Sequence, residues 1–386
     1  MGGEGAPHTG RRMLSHLPRR RRLNGRHAIS PERFTINQEP LMALFGRSKL
    51  SAGLDIGSGF VKLVVVDHSK SEPEIVQIAT SPLVPDAIVE GEIMDPALVA
   101  ATVRSVVESC GLKKKEVVAA VGGHDVIIKR IPMDRMSQTD AREVIRWEAE
   151  QHVPFDMENV QLDFQILDPD AGSAQMQVLL VAAKRELIEN RLSLLSDAGL
   201  SPRCIDVDAF ALHNAFEHSH PDALTGLVAL VNLGHESTNV NLLEEGKPLL
   251  VRDIPFGTRR LREALQRERG LTADDAEAIL LGRAEGADLR TLVADRVDEL
   301  AVGIERAAAF IVAQSGGEGI GRVFLSGGGA RIPGMAEALA DRLGVRTEIA
   351  NPLKRVAVRP EVLESVPVDE LAPMLMLSVG LALRKN

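Results

Sequence analysis

A chain of 386 residues, 45% hydrophobic and 26% charged, has room for two or three domains and a substantial core, and falls among soluble globular compositions. Net charge is -9, but residues 1–33 hold eight arginines against Glu4 and Glu32, a local balance of +6 that leaves -15 on the rest. That acidic body, with no Tyr and one Trp, is a poor nucleic-acid surface; Cys110 and Cys204 fit no metal or redox spacing, and no apolar run reaches the roughly 18 residues that span a bilayer.

In chain order, the Arg-rich start lacks the apolar stretch of a secretory signal, and residues 1 to about 45 read as a disordered basic extension. Translation beginning at Met42 and an arm touching anionic lipid are the alternatives. The next feature is DIGSGFVKL from Asp55 to Leu63, a strand, a small-residue turn and a second strand. Gly and Ser fill most hairpin turns, so this loop alone is weak evidence for phosphate. The β-branched run Val64–Val66 after it excludes the helix that a dinucleotide fingerprint or a P-loop would need there. Backbone N–H groups at such a tip suit phosphate oxygens. Asp55 can hold the waters of a magnesium ion, and Lys62 can supply a point charge.

Strands are expected near 52–58, 60–67 and 74–81, then an inserted module over 83–163. The module would hold a helix at Pro96–Cys110, strands at Glu116–Val121 and Val126–Pro132, and a helix at Ser137–Gln151. A strand at 176–183 and helices at 184–198 and 208–217 would complete the first lobe, 46–82 plus 164–225. A second strand-turn-strand then reads NLGHESTNVNL from Asn232 to Leu242, followed by a strand at 247–254 and a helix from Thr258. Thr272 caps a helix over Ala273–Leu281, and Val293, Val297, Leu300, Ile304 and Ile311 mark a long one. These form a helical insertion, 271–315, in a second lobe of 226–270 plus 316–368. A strand at 321–326 ends in the glycine cluster Gly327–Gly329, a helix spans 334–343, and a buried terminal helix within 369–384 returns to the first lobe. Two related hairpins and a later glycine cluster describe a nucleotide held between duplicated α/β lobes.

With these residues in place, the chain resembles the PilM family of actin-like, FtsA-related type IV pilus assembly proteins, over about residues 42–386. The most specific stretch is WEAEQHVPFDMENVQLDFQIL from Trp147 to Leu167, with IDVDAFAL from Ile205 and FGTRRL from Phe256 in support. The resemblance implies an actin-like ATPase fold of two RNase H-like lobes with an FtsA-type inserted subdomain. It implies ATP and Mg2+ as cofactors, held by Asp55, Gly57, Ser58, Gly59 and Lys62 in the first loop and Asn232, Gly234, Ser237, Thr238 and Asn239 in the second. Gly327, Gly328 and Gly329 match the adenosine loop, with Gly257 and Glu277 approaching the nucleoside. Two positions depart from the pattern: Asn232 stands where most relatives have aspartate, and Leu280 where many have lysine. Both point to modest affinity or slow hydrolysis, and no residue is assigned to orient an attacking water.

The implied function is an adaptor in the cytoplasm, peripheral to the inner membrane through a partner. It would dock the N-terminal cytoplasmic peptide of a PilN-like protein and link it to the pilus motor ATPase and platform protein. A homo-oligomer stays open. Two other classes compete. A small-molecule kinase would need a general base, for which Asp206 is the best candidate, although a helix N-cap is its plainer reading. A filament-forming ATPase of the actin or FtsA kind is weakened because the sequence ends at Asn386 directly after a core-like helix. His213, His218 and His220 read as solvated at a helix end rather than as a zinc site, and Arg259, Arg260 and Arg262 as either exposed or in contact with a ligand or neighbour.

Overall fold

The computed structural model describes residues 49–113, 115–168, 172–285, 289–315 and 319–384. The basic extension and Met42 lie outside them. In chain order the elements are β1 (Leu50–Ile56), β2 (Phe60–Asp67), β3 (Glu74–Pro82), β4 (Ile88–Val89), β5 (Glu92–Ile93), α1 (Pro96–Ser109) and β6 (Glu116–Val121). There follow β7 (Val126–Asp134), α2 (Gln138–Glu150), β8 (Val160–Ile166), β9 (Gln175–Lys184), α3 (Arg185–Asp197), β10 (Ser201–Val207) and α4 (Asp208–Ser219). The second half comprises β11 (Leu227–Leu233), β12 (Thr238–Glu244), β13 (Lys247–Ile254), α5 (Thr258–Arg269), α6 (Ala273–Leu280) and α7 (Leu289–Ser315). The chain closes with β14 (Arg322–Ser326), α8 (Met335–Leu343), β15 (Arg346–Ile349), β16 (Ala357–Val358), α9 (Pro360–Ser365), α10 (Val368–Leu371) and α11 (Met376–Leu383).

Two sheets repeat one topology. In the first, β3-β2-β1 form an antiparallel meander, and β6 and β10 add on in parallel beside β1. In the second, β13-β12-β11 form the same meander and β14 and β15 add on in parallel beside β11. The fit to burial is direct: β6 reads EVVAAV and is buried from Val117 onward, as expected of a strand covered on both faces. The carboxyl ends of β1, β6 and β11, Asp208 at the start of α4, and the turn after β14 open toward one crevice, the usual ligand position of an open α/β sheet.

The strand pairing departs from the sequence expectation in one respect. Glu116–Val121, expected in the inserted module, is the fourth strand of the first lobe, and α1 packs on that lobe through Val99, Val103, Val106 and Val107. Conversely, the strand expected at 176–183 is β9, the middle of the β7-β9-β8 ribbon that extends the second sheet beyond β13 and is covered by α2. Short apolar runs look alike whichever sheet they join, so the pattern located both strands without saying where they pair. The module is therefore built from β7, α2, β8 and β9, and β7 touches the second lobe's edge at Leu250 opposite Lys129. The long helix α7, expected as an insertion, packs in the core of the second lobe through Val293, Val297, Leu300 and Ile304.

Between the two sheets lie α4 and α11. One apolar cluster joins Val64, Val66 and Val118 of the first sheet, Leu212 and Phe216 of α4, Val379 and Leu381 of α11, and Val228, Leu230 and Phe324 of the second sheet. The terminal segment packs on α4 and β1, and Pro373 breaks it into α10, a short 3-10 turn and α11.

Candidate functional site

Each hairpin tip is a four-residue turn closed by its first glycine. Gly57 donates its N–H to Phe60 O at 3.1 Å, and Gly234 donates to Ser237 O at 3.0 Å. The N–H groups of Ser58, Gly59, His235 and Glu236 have no acceptor among the described residues. The tips abut: a Cβ at Gly59 would lie 3.0 Å from the Cβ of His235, so only glycine permits this approach without a shift. Two glycines therefore set the turns, and four backbone donors converge from opposite lobes.

These tips open into a cavity of about 810 Å³ between the lobes. Of the predicted residues, Asp55, Gly57, Ser58, Gly59, Lys62, Asn232, Gly234, Ser237, Asn239, Glu277, Gly327 and Gly328 line it. Thr238, Gly257 and Gly329 do not; they position the wall behind it. Thr238 is fully buried and donates its hydroxyl to Phe256 O at 2.6 Å. A Cβ at Gly257 would lie 2.2 Å from His235 O, so this glycine seats the second tip on the start of α5. A Cβ at Gly329 would lie 2.1 Å from Leu233 Cγ.

The cavity is polar at one end and apolar at the other. At the hairpin end, Lys62 Nζ donates to Asp55 Oδ2 at 2.5 Å, and Asn239 Nδ2 donates to Asp253 Oδ1 at 3.0 Å. The opposite end is walled by Leu280, Leu281, Ile332, Met374 and Leu377, with Glu277 and Arg331 as its charged groups. Gly327 holds φ 86° there, the left-handed region where glycine is unstrained, and its N–H donates to Pro373 O at 2.9 Å.

Asp208 and Arg191, which the sequence reading passed over, also line the polar end. Burial first, and then the Asp55 charge, push the Asp208 carboxyl up to about 7, while Arg191 opposes the shift. Gly122 leaves the space Asp208 occupies, since a Cβ there would meet Asp208 Oδ2. Asp206, the general-base candidate of the kinase reading and more plainly read as a helix N-cap, does not cap α4, whose N-cap is Val207. It is buried in an ion pair with Arg384 at the end of α11. Aspartates two apart at a strand-helix junction give no sign of which one turns to the cleft.

Breaking that buried pair should be costly. Arg384→Met strands a carboxylate without its cation, with an expected loss of about 3–5 kcal/mol in urea denaturation. Asp206→Leu combined with Arg384→Met should recover most of it. A loss below about 1 kcal/mol in the single variant would show that the pair carries no such constraint.

Among the described residues, no group of three or more His, Cys, Asp or Glu side chains is placed to bind a metal. His213 is buried on α4, not solvated, and burial lowers it from 6.5 to about 4; His220 and His235 fall to about 4 for the same first cause. Unfolding returns each to a value near 6.5, so each stabilises the fold above that pH and loses its contribution as pH falls toward 4. Asp208 acts oppositely, losing its contribution as pH rises through about 7. As pH drops from 6.5 to 4.5 each of these histidines should lower stability, by up to about 1.4 kcal/mol per pH unit for each proton taken up on unfolding, while the burial-raised carboxyls of Asp206, Asp208, Glu217 and Asp253 act in the opposite direction. Thermal melts of His213→Gln should show a shallower slope; an unchanged slope would exclude this residue.

Of the three arginines opening α5, Arg259 ties the lobes at the cavity mouth. Its Nη1 lies 2.8 Å from Asp86 of the first lobe and 2.9 Å from Glu236 of the second tip, and its Nε lies 2.8 Å from Glu263. Glu90 N–H, in the β4–β5 turn, donates to Glu236 at 2.6 Å. Arg260 pairs with Glu299 on α7.

A family model described as type IV pilus assembly protein PilM matches residues 53–386. In a solved PilM–PilN type IV pilus biogenesis complex, one chain is 32% identical, with the match covering 88% of this chain and 99% of that one at a TM-score of 0.77. The ethanolamine utilization protein EutJ from Carboxydothermus hydrogenoformans is 17% identical, over 88% of this chain and 91% of its own, at a TM-score of 0.52, a likeness of fold alone. The duplicated lobes are the actin-like α/β fold that the sequence led us to expect. The chain belongs to the PilM family of type IV pilus assembly proteins.

Proposed function

We propose that this chain is a nucleotide-gated adaptor of pilus assembly, binding ATP with Mg2+ between its lobes and docking the cytoplasmic tail of a PilN-like membrane partner. The observation that carries the reading is the abutment of the two hairpin tips, which aims backbone donors from both lobes into one cavity. The donor set fits the ligand. Ser58, Gly59, His235 and Glu236 N–H groups would take phosphate oxygens, Lys62 would add a cation, and the Leu280 end would take the base. Asp55 would reach Mg2+ through water, consistent with the lack of a direct ligand cluster among the described residues. Bound Mg-ATP would supply the charge that both tips grip; the chain's part is to orient it and to couple lobe closure to the partner surface beside the inserted module.

The partner assignment rests on the PilM–PilN complex, whose PilM chain is a relative along nearly its whole length. No helix among the described residues is long and apolar enough to cross a membrane, so attachment at the inner membrane would come through that partner. We place the chain on the cytoplasmic side, with the pilus motor ATPase and platform protein as further contacts.

Titrating a PilN-type tail peptide into apo and ATP-loaded protein tests the gating. A several-fold to hundredfold difference in affinity is expected, equivalent to about 1–3 kcal/mol of coupling. Equal affinities would remove the switch. Asn232 accepts from the Ser326 hydroxyl at 3.3 Å and lines the cavity. Asn232→Asp should therefore tighten magnesium-dependent ATP binding by restoring an anionic site; equal or weaker binding by calorimetry would oppose this.

A further inference from the structure

We infer that the outer face of α2 is a second docking surface, built to take a basic segment of another protein chain. Trp147, the sole tryptophan of the sequence, is 70% exposed at its centre. The inner face of α2 is satisfied: Ala141, Ile145 and Ala149 are buried against the β7-β9-β8 ribbon. Asp140, Glu143, Trp147 and Glu150 recur at three- and four-residue steps and share the opposite face, with half-buried Val144 beside the indole. A single exposed apolar side chain is ordinary; an indole flanked by Glu143 and Glu150, one turn to either side, is not, while Asp140 lies two turns away and accepts from the Ser137 hydroxyl at 2.8 Å.

Among the described residues, neither arginine of the helix is ion-paired with this frame. Arg142 lies over the Phe164 ring at 5.9 Å, and Arg146 donates to Met157 O at 2.8 Å, so both are engaged by the module itself. Glu143 and Glu150 form no ion pair among the described residues. The π-face of an indole attracts guanidinium and ammonium groups, and flanking carboxylates add to the field while repelling acidic partners. The fitting occupant is therefore a segment bearing arginine or lysine beside an apolar residue, with Trp147 as anchor. Nothing here depends on nucleotide.

The protein carries its own probe, since with no tyrosine its near-ultraviolet emission is that of Trp147. The full chain is titrated with a synthetic amphipathic helical peptide carrying arginines on one face, and with a copy carrying glutamates instead. The arginine peptide should shift Trp147 emission saturably, and the glutamate copy should not. With a labelled arginine peptide read by anisotropy, Trp147→Ala and the pair Glu143→Lys with Glu150→Lys should each weaken binding at least tenfold. In cells, a photo-crosslinking residue at position 147 should capture a peptide of net positive charge from another protein. Unchanged affinity in either variant, equal binding of the glutamate copy, no binding of the arginine peptide, or adducts confined to lipid or to copies of this chain would overturn the inference.

Discussion

Gly380→Ala is expected to destabilise the protein by about 3 kcal/mol or more, the upper end of overpacking penalties. A Cβ at that position would lie 1.8 Å from Ala211 O and 2.6 Å from its carbonyl carbon. Both are backbone atoms of α4, so no rotamer change relieves the clash. The other side of α11 is as tight, because a Cβ at Gly53 would meet Ser378 O at 2.1 Å and Ala382 N at 2.5 Å. Since α11 lies between α4 and β1, with Leu377 on the cavity wall, separating these backbones would also deform the site. Urea denaturation should show a lower midpoint and loss of any bound nucleotide together. A change under 1 kcal/mol would mean that the two helices are not held at this distance.

Gly328→Leu is expected to do the reverse, removing nucleotide binding while sparing the fold. A Cβ at Gly328 meets nothing within 4 Å and its φ lies outside the left-handed region, yet the residue lines the cavity. The new side chain would occupy the space proposed for the nucleoside. ATP affinity should fall at least a hundredfold, with the urea midpoint shifted by no more than about 0.5 kcal/mol. Its neighbour is the control: Gly329→Leu drives a side chain into Leu233 and should lower stability instead. If Gly328→Leu keeps wild-type ATP affinity, the nucleoside does not lie where we propose.

Much of the architecture could be read from the chain because its signals are local. Alternating apolar residues around Asp55–Leu63 and Asn232–Leu242 announce β1–β2 and β11–β12, and Thr272 caps α6 by accepting from Asp275 N as its sequence position implies. What escaped is non-local. Membership of β6 and β9 in one sheet or another depends on partners distant in sequence, which periodicity does not encode. The same limit applies to the site. Of the fifteen residues that the family resemblance assigns to the nucleotide, twelve line the crevice; the pattern of small residues at turns by itself marks only the two hairpin tips and the glycine cluster. Asp208 and Arg191 were missed because their proximity to Asp55 arises only when β1, β10 and α3 come together. Likewise Arg384, four residues after Gly380 on a plainly apolar segment, gave no hint of its buried partner Asp206.

The most direct test is a crystal structure of the full chain grown with Mg2+ and a non-hydrolysable ATP analogue. The account predicts one nucleotide per chain, with phosphate oxygens in hydrogen-bond range of Gly59 and Glu236 N–H groups and the base against Leu280. A nucleotide seated elsewhere, one touching a single lobe, or none at saturating concentration would contradict it.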